Sequence, residues 1–154
     1  MSLRFRGSFE HTIDEKGRAS LPARFRETIF NQGDRMLVLT YGGDHLDAYS
    51  SQKWQKLEDE YLKLPRHNAR VNRYLRTLMA HVYDCDIDKQ GRILIPPQLR
   101  RLVNLDREIV IVGVFDKIEI WDKKVFEMAQ TKGFENFEDD LAEINRLLSG
   151  KGDE

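Results

Sequence analysis

Two short stretches of this 154-residue sequence place aspartate, lysine and arginine at fixed spacings around a glycine. DEKGRASLPARFR, residues 14–26, returns 74 positions later as DKQGRILIPPQLR, residues 88–100. Asp14/Asp88, Gly17/Gly91, Arg18/Arg92, Pro22/Pro96 and Arg26/Arg100 are identical, and Ile13/Ile87 extends the match. Average residue usage gives only about one chance identity in such a window. An aspartate opening a turn accepts hydrogen bonds from backbone N–H groups ahead of it, and a glycine three residues on supplies a positive φ. Arg18 and Arg92 then stand at the root of the next strand. A guanidinium is a planar fork that matches phosphate oxygens or the O6/N7 edge of guanine. The chemistry on offer is therefore recognition rather than bond making. One copy alone leaves two readings open: a hairpin whose arginine is solvated or paired with the aspartate, or a DNA-contacting edge. Recurrence of Arg18 and Arg92 in two otherwise diverged copies favours the second, while Arg26 and Arg100 read as residues that hold the following helix.

The elements around the turns repeat as well. Alternating residues in FRGSFEHTIDEKGRASL read as a half-buried hairpin. Helices are expected over 22–30 and 96–103, each with proline at its start, where a missing N–H costs nothing. Strands follow at 36–41 and 45–50 in one copy, 108–114 and 117–121 in the other. Tyr49–Trp54 and Trp121–Phe126 then open a helix in each. Each copy thus reads strand, turn, strand, helix, strand, strand, helix. A unit of that size cannot bury a core alone, so two joined copies are expected to pair about a pseudo-two-fold axis. Helices at about 51–82, broken at Pro65, link the copies. There Leu57, Tyr61, Leu62 and Leu64, then Val71, Tyr74, Leu75, Leu78 and Met79, are spaced for apolar faces. Phe134, Phe137, Leu141, Ile144, Leu147 and Leu148 form another stripe, before a fraying GKGDE end. The expected divisions are 5–55 for the first motif, 56–82 for the linking helices, 83–128 for the second motif and 129–154 for the tail.

Charge is unevenly distributed. The formal net charge is −1, but residues 134–154 hold seven acids against Arg146 and Lys151, leaving +4 for the rest. Residues 62–83 carry Lys63, Arg66, Arg70, Arg73 and Arg76 and no acid. The linker arginines read as partners for acids across a subunit boundary, or as solvated, more readily than as DNA contacts. The acidic tail reads either as a solvated helix or as a stripe that packs on the body or a neighbouring subunit and repels non-specific DNA. No stretch has the pattern of a signal peptide or a membrane helix, and the single Cys85 favours a reducing compartment, so a cytoplasmic protein is expected. No phosphate loop or nucleophile elbow occurs, and no carboxylate pair stands out as catalytic. His81 and Cys85 are four apart, but with only His11, His45 and His67 besides, no zinc set is complete. We expect no enzyme, no metal and no cofactor.

On DEKGRASLPARFR and DKQGRILIPPQLR the chain resembles the AbrB/SpoVT swapped-hairpin family. The two copies, opened by FRGSFEHTIDEKGRASLPARFRE and CDIDKQGRILIPPQLR, resemble the bacterial MraZ family in particular, over about residues 4–148. The resemblance implies an α+β fold in which two AbrB-like half-motifs, of the swapped-hairpin, double-psi type, form one β-barrel core with peripheral helices. It also implies a ring-like homo-oligomer, nucleoid-associated, that binds repeated elements in double-stranded promoter DNA. The promoter of its own division and cell-wall gene cluster would be among them. Arg18 and Arg92 would then be the chief DNA contacts, with Lys16 assisting. Asp14, Gly17, Pro22, Arg26, Asp88, Gly91, Pro96 and Arg100 would build the motif. Gln90 stands where Lys16 does in the other copy, and RASLP against RILIP is a second departure from symmetry. The alternative is an AbrB-type module whose main partner is another protein, as in antitoxins of related fold. Those usually append a disordered tail to one copy, whereas both copies here are internal and the tail is patterned as a helix.

Overall fold

A computed structural model describes residues 4–150; the fraying expected of the last residues lies almost wholly outside them. Residues up to Lys123 form one compact unit and those from Lys124 a second. The first contains β1 (Phe5–Thr12), β2 (Arg18–Ser20), α1 (Ala23–Asn31), β3 (Met36–Tyr41), β4 (Leu46–Ser50), α2 (Ser51–Leu62), α3 (Ala69–Met79), β5 (Tyr83–Asp86), β6 (Arg92–Leu94), α4 (Pro97–Leu102), β7 (Glu108–Phe115) and β8 (Lys117–Asp122). Two helices follow, α5 (Lys123–Glu135) and α6 (Phe137–Leu148).

Strand order in the larger sheet is β1-β7-β8-β4-β3-β5, and every neighbouring pair is antiparallel. Exchanging the copies turns that order into itself read backwards. The pseudo-two-fold therefore passes between β4 and β8, where Asp47 faces Glu119 across the ladder. The expected hairpin over 5–20 does not form. β1 pairs instead with β7 of the other copy through eight residue pairs, and β5 pairs with β3. β2 leaves the large sheet and pairs with its counterpart β6. The reason is the supply of apolar edge: a three-residue β2 offers β1 little to pair with, whereas β7 (EIVIVGVF) offers a full-length ladder. The large sheet is open, with β1 and β5 at its two ends, and β2–β6 is a separate ladder, so hydrogen bonding does not close the expected single barrel.

One face of the sheet carries the core. Leu37, Leu39, Leu46, Ile109, Ile111, Ile118 and Ile120 are buried there with Phe25 and Ile29 of α1 and Leu99 of α4. Phe25 meets Phe5 and Phe9 edge to face, each at 5.3 Å. Ala19 and Ile93, the middle residues of β2 and β6, are buried in the same core. On the other face, Val38, Trp54 and Leu78 form a smaller cluster under α2 and α3. Both proline-led helices begin one residue later than their motifs imply. Pro22 and Pro96 are the cap residues, and their carbonyls accept the first helical bonds, from Arg26 and Arg100 among others. Of the linker's apolar positions, Leu78 is buried, whereas Leu62, Leu64, Tyr74 and Met79 remain exposed. Phe134, Phe137, Leu141, Ile144, Leu147 and Leu148 are exposed too. No helix among the described residues is long and apolar enough to cross a membrane.

Candidate nucleic-acid interface

The two repeated turns are built alike to the level of single hydrogen bonds. In the first, Asp14 Oδ1 accepts the backbone N–H groups of Lys16 and Arg18, both at 2.9 Å, and Asp14 Oδ2 accepts Arg18 Nε at 2.8 Å. In the second, Asp88 Oδ1 accepts from Gln90 and Arg92, both at 2.9 Å, and Oδ2 accepts Arg92 Nε at 2.9 Å. The backbone N–H of Arg18, ahead of its guanidinium and the Lys16 N–H, holds the Asp14 carboxyl below its ordinary pKa. Arg92 does the same for Asp88. The geometry shows the arginine paired with its aspartate: the carboxylate takes Nε and fixes the side chain.

The register of β2–β6 sets where those forks lie. Arg18 is opposite Leu94, Ala19 opposite Ile93, and Ser20 opposite Arg92. Side chains alternate across a strand, so Arg18, Ser20, Arg92 and Leu94 share one face of the ribbon. Ala19 and Ile93 take the other face, into the core, at 2% and 1% exposure. Two residues along the strand and one strand across put the Arg18 and Arg92 Cα atoms roughly 8–9 Å apart.

The turns are also locked to the opposite copy. Leu21 N donates to Gly91 O and Ile95 N to Gly17 O, both at 2.9 Å. Gly91 (φ +78°) leaves the space that the Arg26 side chain fills, and Gly17 (φ +87°) lies under the Arg100 guanidinium. Arg26 Nη1 donates to Gln90 O at 3.4 Å and Arg100 Nε to Ile95 O at 3.1 Å. Arg26 therefore bonds to and packs on the other copy's turn, whereas Arg100 packs on the other copy's Gly17 and bonds within its own copy. Sequence reasoning missed this, because nothing in a single copy says which turn its helix will meet.

The copies differ at the fork. Arg92 Nη2 also donates to Gln90 Oε1. The equivalent residue of the first turn is Lys16, whose ammonium offers the Arg18 guanidinium no acceptor. Lys89 was also passed over: it is exposed in the second turn, so each turn carries one lysine, Lys16 or Lys89.

His81 and Cys85 do not share a helix. His81 follows α3, with Nδ1 2.8 Å from Thr77 O, and Cys85 is buried in β5, its thiol pushed up to about 12 chiefly by burial. The histidine with acidic neighbours is His45, on the pseudo-axis. Its Nδ1 lies 2.8 Å from Asp44, and its Nε2 lies 2.9 Å from Asp47 and 3.3 Å from Glu119, with the ring stacked on Trp121. The Lys117 ammonium sits at 3.0 and 3.1 Å from the same Asp47 and Glu119 oxygens. Two acids facing each other across β4–β8 repel, and the His45 ring and the Lys117 ammonium offset that repulsion. Burial pushes the His45 imidazole down, but its bonds to Asp47, Glu119 and Asp44 outweigh this and raise it to about 10. The bond from His45, and then those from Trp121 and Lys117, hold Glu119 down at about 2. A raised histidine stabilises the fold fully below its unfolded pKa near 6.5 and loses that contribution as pH rises toward 10. Urea unfolding should therefore show the midpoint falling between pH 6.5 and 8.5, with His45→Gln less stable at pH 6 and flat across that window.

The model of the family described as "MraZ protein, putative antitoxin-like" matches this chain twice, over residues 4–77 and 78–146. The chain belongs to the MraZ family. Its relatives include "Transcriptional regulator MraZ" of Desulforamulus reducens, 41% identical over 94% of this chain and 99% of that protein. The protein of the same name from Thermoanaerobacter pseudethanolicus is 39% identical over 90% and 97%. That of Pediococcus pentosaceus is 39% identical over 90% and 94%. The solution structure of PHS018 from Pyrococcus horikoshii is a remote likeness, with a TM-score of 0.33 at 15% identity over 75% of this chain and 94% of that one. The MraZ relatives are named as transcriptional regulators, so the family is one of regulators and not of enzymes.

Proposed function

We propose that this protein is a sequence-specific regulator of transcription that binds double-stranded promoter DNA through the outer face of the β2–β6 ribbon. The observation that carries the reading is the placement of Arg18 and Arg92, both half-buried, on the same outer face of the ribbon, each held at Nε by its own aspartate. B-DNA's major groove admits a two-stranded ribbon, and arginine is the commonest reader of guanine there. A spacing of roughly 8–9 Å corresponds to two or three base-pair steps of about 3.4 Å, so both forks reach one short site. Lys16, with Lys89, supplies charge toward the flanking phosphates.

The finer reading follows the family resemblance. The half-motifs 5–55 and 83–128 are AbrB-like, 56–82 links them and 129–154 is an appended tail. Several subunits in a ring engage repeated elements upstream of the division and cell-wall genes, in the cytoplasm and at the nucleoid. A chain with little net charge gains affinity in that way, because linked weak contacts add through effective concentration. The family description favours one second reading, an antitoxin-like module whose partner is a protein.

The test is a titration of the protein against duplex DNA from upstream of its own gene and against unrelated duplex, at several salt concentrations. Regulation predicts a preference for the first duplex and an affinity that falls steeply with salt. Absence of any preference would sink the reading in favour of the protein-binding module.

A further inference from the structure

The ribbon face is not symmetric. Its two arginines repeat, but the residues opposite them do not: Leu94 faces Arg18, and Ser20 faces Arg92. Ser20 and Leu94 occupy the same position of the two copies, 74 residues apart. Leu94 is 54% exposed, while its neighbours Ile93 and Ile95 are 1% and 0% exposed. A large apolar side chain thus stands beside an arginine fork on a surface otherwise made of polar groups.

We propose that Leu94 is a specificity-determining contact that packs on the C5-methyl group of a thymine next to the base read by Arg18. The ribbon then reads its site with a direction. This rests on the DNA-binding reading above. Directly opposed residues have Cβ atoms about 4.5–5.5 Å apart, so Leu94 reaches a base one or two steps from the Arg18 contact. Of the four bases, thymine alone presents a methyl group in the major groove, and an aliphatic side chain is suited to it. Ser20, beside Arg92, has a hydroxyl that accepts or donates to either strand and selects weakly. An arginine–leucine half and an arginine–serine half on one rigid ladder therefore prefer different half-sites. A pseudo-symmetric protein obtains an oriented operator in this way.

The experiment uses the full chain and a duplex selected by it from a random-sequence library, resynthesised with uracil replacing one thymine at a time. Uracil lacks only the methyl group. At one thymine beside the Arg18-dependent base, wild type should lose roughly three- to tenfold in affinity on uracil substitution. Leu94→Ala should bind the thymine duplex more weakly by a similar factor and be indifferent to uracil at that position. Ser20→Leu, which puts a leucine beside both arginines, should select a site with the thymine preference in both halves. Leu94 is exposed, so its truncation leaves the core intact, and a matching thermal melt checks this. The proposal is overturned if no uracil substitution weakens wild type, or if Leu94→Ala keeps the full uracil penalty. It is also overturned if Leu94→Ala changes only the number of subunits, since Leu94 would then face a second copy of the chain. These outcomes differ from failure of the functional reading, in which wild type enriches no sequence and Arg18→Ala changes nothing.

Discussion

Replacing Arg18 and Arg92 together by alanine should abolish the protein's preference for its own upstream DNA while leaving the fold intact. A well-placed arginine–guanine contact is worth about 1–3 kcal/mol of discrimination, so each single variant should weaken binding roughly 5- to 150-fold. The fold survives because each arginine's local partner is a part-exposed aspartate, and such surface pairs contribute about 0–1 kcal/mol. The turn itself is held by the aspartate's bonds to backbone N–H groups, which alanine at 18 or 92 retains. Arg18→Ala should cost more than Arg92→Ala, because Gln90 competes for Nη2 of Arg92. Gln90→Lys removes that competitor and copies the Lys16 turn, so it should tighten binding. Electrophoretic or fluorescence titrations at two salt concentrations, with circular dichroism as the folding control, check all four proteins. Unchanged binding by the double variant would remove these residues from the interface.

A large effect on stability is expected from Gly91→Ala. A residue with a side chain in the left-handed region costs about 1–2 kcal/mol. At φ +78° the new Cβ would also overlap Arg26 Nη1 and come within 2.5 Å of its Cδ. Displacing that packed guanidinium adds an overpacking cost of about 1–3 kcal/mol. The expected loss is therefore about 2–5 kcal/mol, at roughly 2–4 °C of Tm per kcal/mol in a chain of this length. Gly17→Ala meets only the far end of Arg100, at 2.8 Å from Nη2, with φ +87°. It should lose about 1–2 kcal/mol, most of it from the backbone. The cross-copy packing gives a sharper check. Arg26→Ala should recover the steric part of the Gly91→Ala loss and none of the backbone part, a coupling between residues 65 positions apart. If the two losses simply add, Arg26 does not pack on that turn. Thermal melts of the four proteins in the cycle decide it.

Local chemistry was legible in the sequence. The Asp-x-x-Gly-Arg spacing dictates a turn whose carboxylate collects backbone N–H groups, and both turns do so. Proline before an apolar period marks the helix starts to within a residue. The repeat by itself requires two copies to share one core, since neither is large enough alone. One other expectation failed. The hairpin over 5–20 assumed that residues close in sequence stay partners, whereas His81 and Cys85 stand, as expected, at the entry of a strand. For the hairpin, burial decided otherwise: β1 gains an eight-residue ladder from the other copy. The apolar spacing of the linker was real, yet Leu62, Tyr74 and Met79 stay exposed, because spacing says which residues share a face and not what covers it.

The sequence by itself determined the two turns, the arginines at their ends, the order of elements and the need for the copies to pair. Only the tertiary structure decided that the pairing is an exchange. It places Arg18 and Arg92 diagonally on one ribbon, sets Leu94 beside the first and Ser20 beside the second, and lays Arg26 and Arg100 behind the opposite turns. The reason is physical. Turn formation is governed by interactions over four or five residues, which a sequence displays directly. The choice of strand partner is governed by the apolar area each alternative buries, and that quantity exists only once both copies share one core.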